Sequence, residues 1–129
     1  MLEPAIRDLA RDKNFAALSV RMPNGQIGTH VMWVDADDDH VLINTEIHRA
    51  KFKGMQADPN VTVMIWKLGD PYSYVEVRGV VSGTVGGQEA RDHIDTLSQK
   101  YNGKPYPNEI TSERVIVKIT PERQIRRKV

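Results

Sequence analysis

"VTVMIWKLGDPYSYVEVRGVVSGTV", residues 61–85, holds two alternating apolar runs joined by the turn Leu68-Gly69-Asp70-Pro71, and reads as an antiparallel hairpin. In the first run Val61, Val63 and Ile65 share one face while Thr62, Met64 and Trp66 share the other. Neither face suits full solvation, which is the pattern of a central or interface strand. In the second run Val75, Val77 and Val81 oppose Tyr74, Glu76 and Arg78, so one face is core and the other is chemically equipped.

Outward from this hairpin the pattern repeats. "FAALSVRM" (15–22) and "QIGTHVMWV" (26–34) flank an Asn24-Gly25 pair that favours a tight hairpin turn. "HVLINT" (40–45) and "RVIVKI" (114–119) add further strands. Three stretches have helical spacing. "PAIRDLARDK" carries Pro4 near its start and Leu2, Ile6 and Leu9 on one stripe. "HRAKFKGMQAD" must end before Pro59, and "GQEARDHIDTLSQKYNG" places Ala90, Ile94, Leu97 and Tyr101 on one face with Gly103 to stop it. "DADDD" (35–39) clusters carboxylates but lacks the glycine and distant glutamate of a calcium loop, so it reads as a solvated turn. Strands in hairpin order with few helices between them predict a mainly β fold: an antiparallel sheet curled into a β-barrel with peripheral helices. No repeat, low-complexity stretch or linker interrupts residues 1–129, so one domain is expected.

Composition narrows the function. With 18 Lys and Arg against 17 Asp and Glu, the net charge is +1, and no global field draws in nucleic acid or an anionic membrane. Any anion site must be local. The absence of Cys excludes disulfides, thiolate zinc sites and cysteine nucleophiles. His30, His40, His48 and His93 lie apart, without metal-ligand spacing, so no metal site is expected. The N-terminal stretch has no signal-peptide core and no apolar run is long enough to span a bilayer, which reads as a cytoplasmic protein. The basic tail "ERQIRRKV" lacks interleaved aromatics and reads as a solvated terminal strand or a lip beside a bound anion, with no nucleic-acid partner.

Local positive charge does collect in "INTEIHRAKFKG" (43–54), where His48, Arg49, Lys51 and Lys53 crowd a strand-to-helix joint. A helix N-terminus already carries unpaired N–H groups and the positive end of the helix dipole, so cations there are unfavourable unless an anion binds. Arg forks onto two phosphate oxygens and Lys supplies a point charge. A solvated basic helix face, partly offset by Glu46, is the competing reading.

The order of "HVLINT", "RAKFKGMQADPNVTV", "DPYSYVEVRGVV" and "RVIVKITPER" resembles the split β-barrel flavin and deazaflavin oxidoreductases related to pyridoxamine 5'-phosphate oxidase, and most of all their F420-dependent actinobacterial branch. The likeness runs over nearly the whole chain; its most specific pieces are the R-x-K after a strand and P-Y-x-Y-x-E-V-R-G. It implies a homodimer that holds two cofactors in grooves between subunits, coenzyme F420 or alternatively FMN. Arg49 and Lys51 would hold the phosphate, with Thr45 adding a contact, and Lys53 would suit the longer anionic tail of F420. Thr29, His30, Val31 and Met32 would wall the ring, His30 being placed to donate a hydrogen bond or proton. Trp33 is either ring wall or core. Tyr72 and Tyr74 would come from the partner subunit. The activity implied is hydride transfer with a small unsaturated or conjugated substrate, the protein supplying binding and electrostatics rather than a nucleophile. A non-catalytic cofactor carrier would use the same anion site. Glu46, close to the phosphate, departs from expectation and would weaken binding unless it faces away.

Overall fold

The computed structural model describes residues 1–129. In chain order the elements are α1 (Pro4–Arg11), β1 (Phe15–Arg21), β2 (Ile27–Trp33), β3 (Asp35–Ala36), β4 (Val41–Glu46), α2 (Ala50–Ala57), β5 (Asn60–Lys67), β6 (Asp70–Val85), α3 (Gly87–Asn102) and β7 (Arg114–Arg127). Period-two alternation puts all the strands into one antiparallel sheet, ordered β2-β1-β5-β6-β7-β4-β3. The mainly β barrel with peripheral helices is the fold expected from the alternation, and β5 is indeed an inner strand.

Strand β6 does the bending. It pairs with β5 along one edge and β7 along the other, and its register with β7 shifts after Arg78 and again after Val81. Such irregularities kink and twist a strand, which lets one continuous strand serve two halves of a curled sheet. The curl brings β2 near β4 without a ladder between them, so the barrel is split along that seam.

The core lies inside the curl, where Leu18, Ile43, Val63, Val77 and Ile119 are fully buried, and α1 closes one end with Leu2, Ile6 and Leu9. Helix α2 packs directly on the end of β1: a Cβ at Gly54 would stand 2.3 Å from the Arg21 carbonyl oxygen, so only glycine permits this approach. Helix α3 is tied to the barrel by polar contacts as well as by Ile94 and Leu97. Its Tyr101 hydroxyl accepts the Val34 amide and donates to the Asn14 carbonyl, and Lys100 donates to the carbonyls of Ala10 and Val34.

The basic tail, one of whose readings was a solvated terminal strand, is a strand: β7 runs past Ile119 to Arg127, pairing Arg123 with Arg78, Ile125 with Glu76 and Arg127 with Tyr74, because β6 offers it a long free edge. Two expectations change. "DADDD" is more than a solvated turn, since Asp35 and Ala36 pair with β4 and the Asp38 carboxylate bridges Arg7 and Arg11 of α1. Arg49 stands at the N-cap of α2 rather than inside its first turn. No helix is long and apolar enough to cross a membrane.

Candidate functional site

Strand β4 ends at Glu46 and the chain turns into α2 within three residues. Arg49 caps the helix with extended backbone and no side-chain capping bond, and the first turn contains no acid. The amides of Ala50 and Lys51 find no backbone acceptor. The helix therefore begins with free N–H donors among cations. Lys51 is half-buried, and its ammonium reaches only the Met32 Sδ, at 3.3 Å, a weak acceptor. Burial pulls its pKa below the ordinary lysine value, and the positive charges of Arg49 and Arg114 pull it further. Neither Arg49 nor Lys51 takes part in any ion pair of the chain.

Beside Lys51 the split seam opens as a cleft of about 270 Å³, walled by Met32, Trp33, Asn44, Ile94, Tyr106 and Arg114, with Val31 at its rim. Trp33 stacks flat on Tyr101, centroids 5.1 Å apart and planes 4° from parallel, while Tyr106 meets its edge at 6.2 Å. Trp33 thus lines the cleft and packs, partly buried, on the cluster of Ile94, Leu97 and Tyr101. A second, more polar groove of about 540 Å³ runs between the start of α3 and residues 110–114, and Arg114 borders both spaces.

A chain of buried polar groups separates the two spaces. Asn44 Nδ2 donates to the Ala90 carbonyl at 2.9 Å and to His93 Nδ1 at 3.0 Å, and His93 Nε2 meets Asp35 Oδ2 at 3.0 Å. Because the carboxylate only accepts, His93 carries its proton on Nε2 and accepts on Nδ1, which turns Asn44 Oδ1 toward Arg114. Arg114 Nε donates to that oxygen at 2.8 Å and its Nη1 to Glu46 Oε1 at 3.2 Å. Glu46 Oε2 accepts the amides of Thr111 and Ser112 at 3.1 and 2.8 Å. Burial pushes the Glu46 carboxyl up, but the Ser112 amide, the Thr111 hydroxyl and the Arg114 charge outweigh it and hold the group below the usual carboxylate range. Glu46 is therefore tied to the 111–112 loop and Arg114, and its Oε2 also lies 3.6 Å from His48 Nδ1 at the joint, so the carboxylate stays beside the cationic cluster while making no bond to the Arg49 or Lys51 side chain.

The residues singled out from the sequence are thereby divided. Arg49, Lys51, His30 and Met32 gather at the joint: Met32 touches Lys51, and His30, alternating with it on β2, is lowered in pKa by burial and by the Lys51 charge. His30 Nε2 is buried without a partner. Thr45 is buried on β4, paired with Val115, beside the joint. Thr29 and Val31 point to the opposite face of β2, where Thr29 bonds Ser19 at 2.9 Å and Val31 stands 69% exposed. Tyr72 and Tyr74 lie on β6, with β1 and β5 between them and β2. Neither tyrosine lines the cleft beside Lys51 within one chain. Lys53 is exposed on α2.

Asn44, His93, Tyr106 and Arg114 escaped the sequence reading. The available signal was polarity at positions where β4 and β7 alternate into apolar surroundings, namely Asn44, Glu46 and Arg114. Tyr106 sits in an irregular loop that has no period to read.

Similarity to known proteins enters at this point. The family model described as pyridoxamine 5'-phosphate oxidase matches residues 2–126. No curated protein matches the chain. Among solved structures, an F420 reductase superposes with a TM-score of 0.81 at 22% identity, over 96% of this chain and 98% of the other. A conserved hypothetical protein from Mycobacterium tuberculosis gives 0.73 at 24% identity over 96% and 82%. An FAD-binding protein from Mesorhizobium loti gives 0.65 at 17% identity over 96% and 92%. At these identities the likeness speaks for the fold.

Proposed function

The chain belongs to the pyridoxamine 5'-phosphate oxidase family, and from that premise we propose that it is an F420-dependent oxidoreductase acting as a homodimer, with the cofactor in a groove between subunits. The observation that carries the reading is the half-buried Lys51, with Arg49 beside it, held without a counter-ion at a free helix start next to an apolar cleft. A buried cation without a partner is costly, and an anionic group docked there removes the cost.

The residues present fit a phosphorylated tricyclic cofactor. Arg49, Lys51 and the free amides of Ala50 and Lys51 would take the phosphate, while Met32, Trp33 and Tyr106 offer a flat, largely apolar slot for the ring. The cleft of one chain, about 270 Å³, falls short of the roughly 300–1,000 Å³ of a complete small-molecule site. An outer sheet row beside it, Val31, Ala17, Met64, Glu76 and Ile125, leaves Val31 and Met64 exposed, with Glu76 as its one charged member, paired to Arg78. A second copy covering that row would close the mouth at Val31 and supply Tyr72 and Tyr74, the first of which is 72% exposed.

When bound, F420 supplies hydride transfer at its C5, here with a small unsaturated or conjugated substrate. Lys51 and Arg49 anchor the molecule, Trp33 and Met32 hold the ring plane, and the apolar walls exclude water. His30, buried beside Lys51 with a free Nε2, is placed to present a hydrogen bond. FMN is the alternative in the same site; the anion cluster by itself accommodates either. The structural likeness to an F420 reductase supports F420.

Equilibrium titration of cofactor-free protein with F420 and with FMN tests the reading. Tighter binding of F420, and reoxidation of reduced F420 by an acceptor faster than that of the free cofactor, are expected. Preference for FMN moves the protein to the alternative, slowed reoxidation marks a carrier, and binding of neither overturns the proposal.

A further inference from the structure

Resting on the anion site just described, we propose that Arg114 is its third cation, and that Asn44 and Glu46 hold it in place so that the site selects a ligand with two negative charges. Three features support this. Arg114 is 7% exposed, yet it borders both the ring cleft and the polar groove, so it is the side chain at which the two spaces meet. Its guanidinium is fixed from two directions, Nε by Asn44 and Nη1 by Glu46, and lies over the Tyr106 ring at 5.4 Å. The remaining Nη2 makes no bond within the chain and is left for a ligand.

Charge gives the second line. Burial lowers the pKa of Lys51 and of Arg114, and neighbouring charge lowers them further, from Arg49 and Arg114 on Lys51 and from Arg49 on Arg114; Glu46 is the carboxylate bonded to Arg114. Three positive side chains against one negative leave two charges uncompensated. FMN provides two on its phosphomonoester; F420 provides one on its phosphodiester and more on its glutamyl carboxylates, for which the groove beside Arg114 has room. Two negative charges are the chemistry the two molecules share.

Fixation gives the third. An unrestrained arginine samples many rotamers, but here the Asp35–His93–Asn44 chain presents Asn44 Oδ1 to Nε in one orientation, and Glu46, anchored at Oε2 by the Thr111 and Ser112 amides, holds Nη1 with Oε1. Arg114 thus stands preset before a ligand arrives, which lowers the ordering cost of binding. Asn44 acts through Arg114 and is a positioning residue.

The test is a set of titrations with FMN, F420 and riboflavin, the last lacking the phosphate. Arg114→Gln should weaken FMN and F420 by about 10- to 100-fold, the range of a charge-assisted hydrogen bond, and riboflavin by less than about twofold. Its salt dependence with FMN should be shallower than that of the wild type. Because this variant strands Glu46, Arg114→Gln combined with Glu46→Gln removes both buried charges and serves if the single variant does not fold; it keeps the net charge of the site and removes only the free Nη2 donor, so the FMN-to-riboflavin ratio should fall less, about 3- to 10-fold. Asn44→Ala keeps every charge and should lower the FMN-to-riboflavin affinity ratio about 3- to 10-fold; a loss of stability alone would lower both affinities and leave the ratio unmoved. An unchanged ratio in Arg114→Gln and in the double variant, while Lys51→Ala still weakens FMN, overturns the role of Arg114 and spares the functional reading. Wild-type protein that binds none of the three overturns both.

Discussion

Lys51 and Lys100 are the same residue type, both half-buried, both with a pKa pulled down by burial, and their surroundings are opposite. Around Lys100 the protein has supplied what the charge needs: its ammonium donates to the carbonyls of Ala10 and Val34, lies 4.8 Å from the Tyr101 ring centroid, and is favoured by the charges of Asp35 and Asp12. Around Lys51 the protein supplies a thioether sulfur and two more cations. A buried charge is tolerated when its partners are present in the fold. Lys100 meets that condition unaided and ties α3 to α1 and the end of β2. Lys51 does not meet it within the chain, and the proposed anion would supply what is missing.

The sharpest break of this contrast is in binding. Lys51→Ala should cost about 1 to 3 kcal/mol of cofactor affinity, the worth of a charge-assisted hydrogen bond, read by fluorescence titration, while the melting temperature barely moves. Unchanged affinity would place the phosphate elsewhere. Next in size, Lys100→Met should destabilise the fold by about 2 kcal/mol, since it strips the ammonium donor from two inner carbonyls, with cofactor affinity per folded molecule preserved in a denaturant-melt and titration pair. A smaller effect of opposite sign is expected for Lys51→Met in the cofactor-free protein: neutral or stabilising by up to about 1 kcal/mol, because an uncompensated charge is replaced by a side chain that packs.

The smallest effect is the dependence on pH. The folded-state pKa of Lys51 lies below 10.5, its ordinary value, so between the two the unfolded chain binds more protons and the Lys51 contribution to stability rises with pH. The stability gap between Lys51→Met and the wild type should therefore narrow as pH climbs through that window. Cofactor affinity should move the other way, falling over the same range as Lys51 loses the charge that binds. Calorimetric melts and titrations on one pH series measure both slopes, and parallel slopes would contradict the assignment.

Legibility differed from element to element. The β5–β6 hairpin, the Asn24-Gly25 turn and α3 with its Gly103 stop could be read because period, turn chemistry and capping are local properties. The clustering of Arg49 and Lys51 at the start of α2 was legible for the same reason: a cationic helix start is built from neighbours in sequence. The length of β7 was not, since "ERQIRRKV" becomes a strand only because β6 runs on beside it. His93 shows the limit most plainly. On the helix it looks like one more solvated polar residue, yet its ring joins Asp35, 58 positions earlier, to Asn44, 49 positions earlier.

From the sequence alone came the alternating strands, the barrel class, the absence of thiol chemistry and a cationic joint, all consequences of backbone period and of residues within one turn of each other. Tertiary structure alone decided that Glu46 is held by Arg114 and the 111–112 loop, that Arg114 arrives from the last strand beside the joint, and that β2 and β4 stop short of pairing and leave a cleft. Those outcomes depend on sheet curvature and strand register, which bring together groups separated by up to 70 positions, and no local rule encodes such distances.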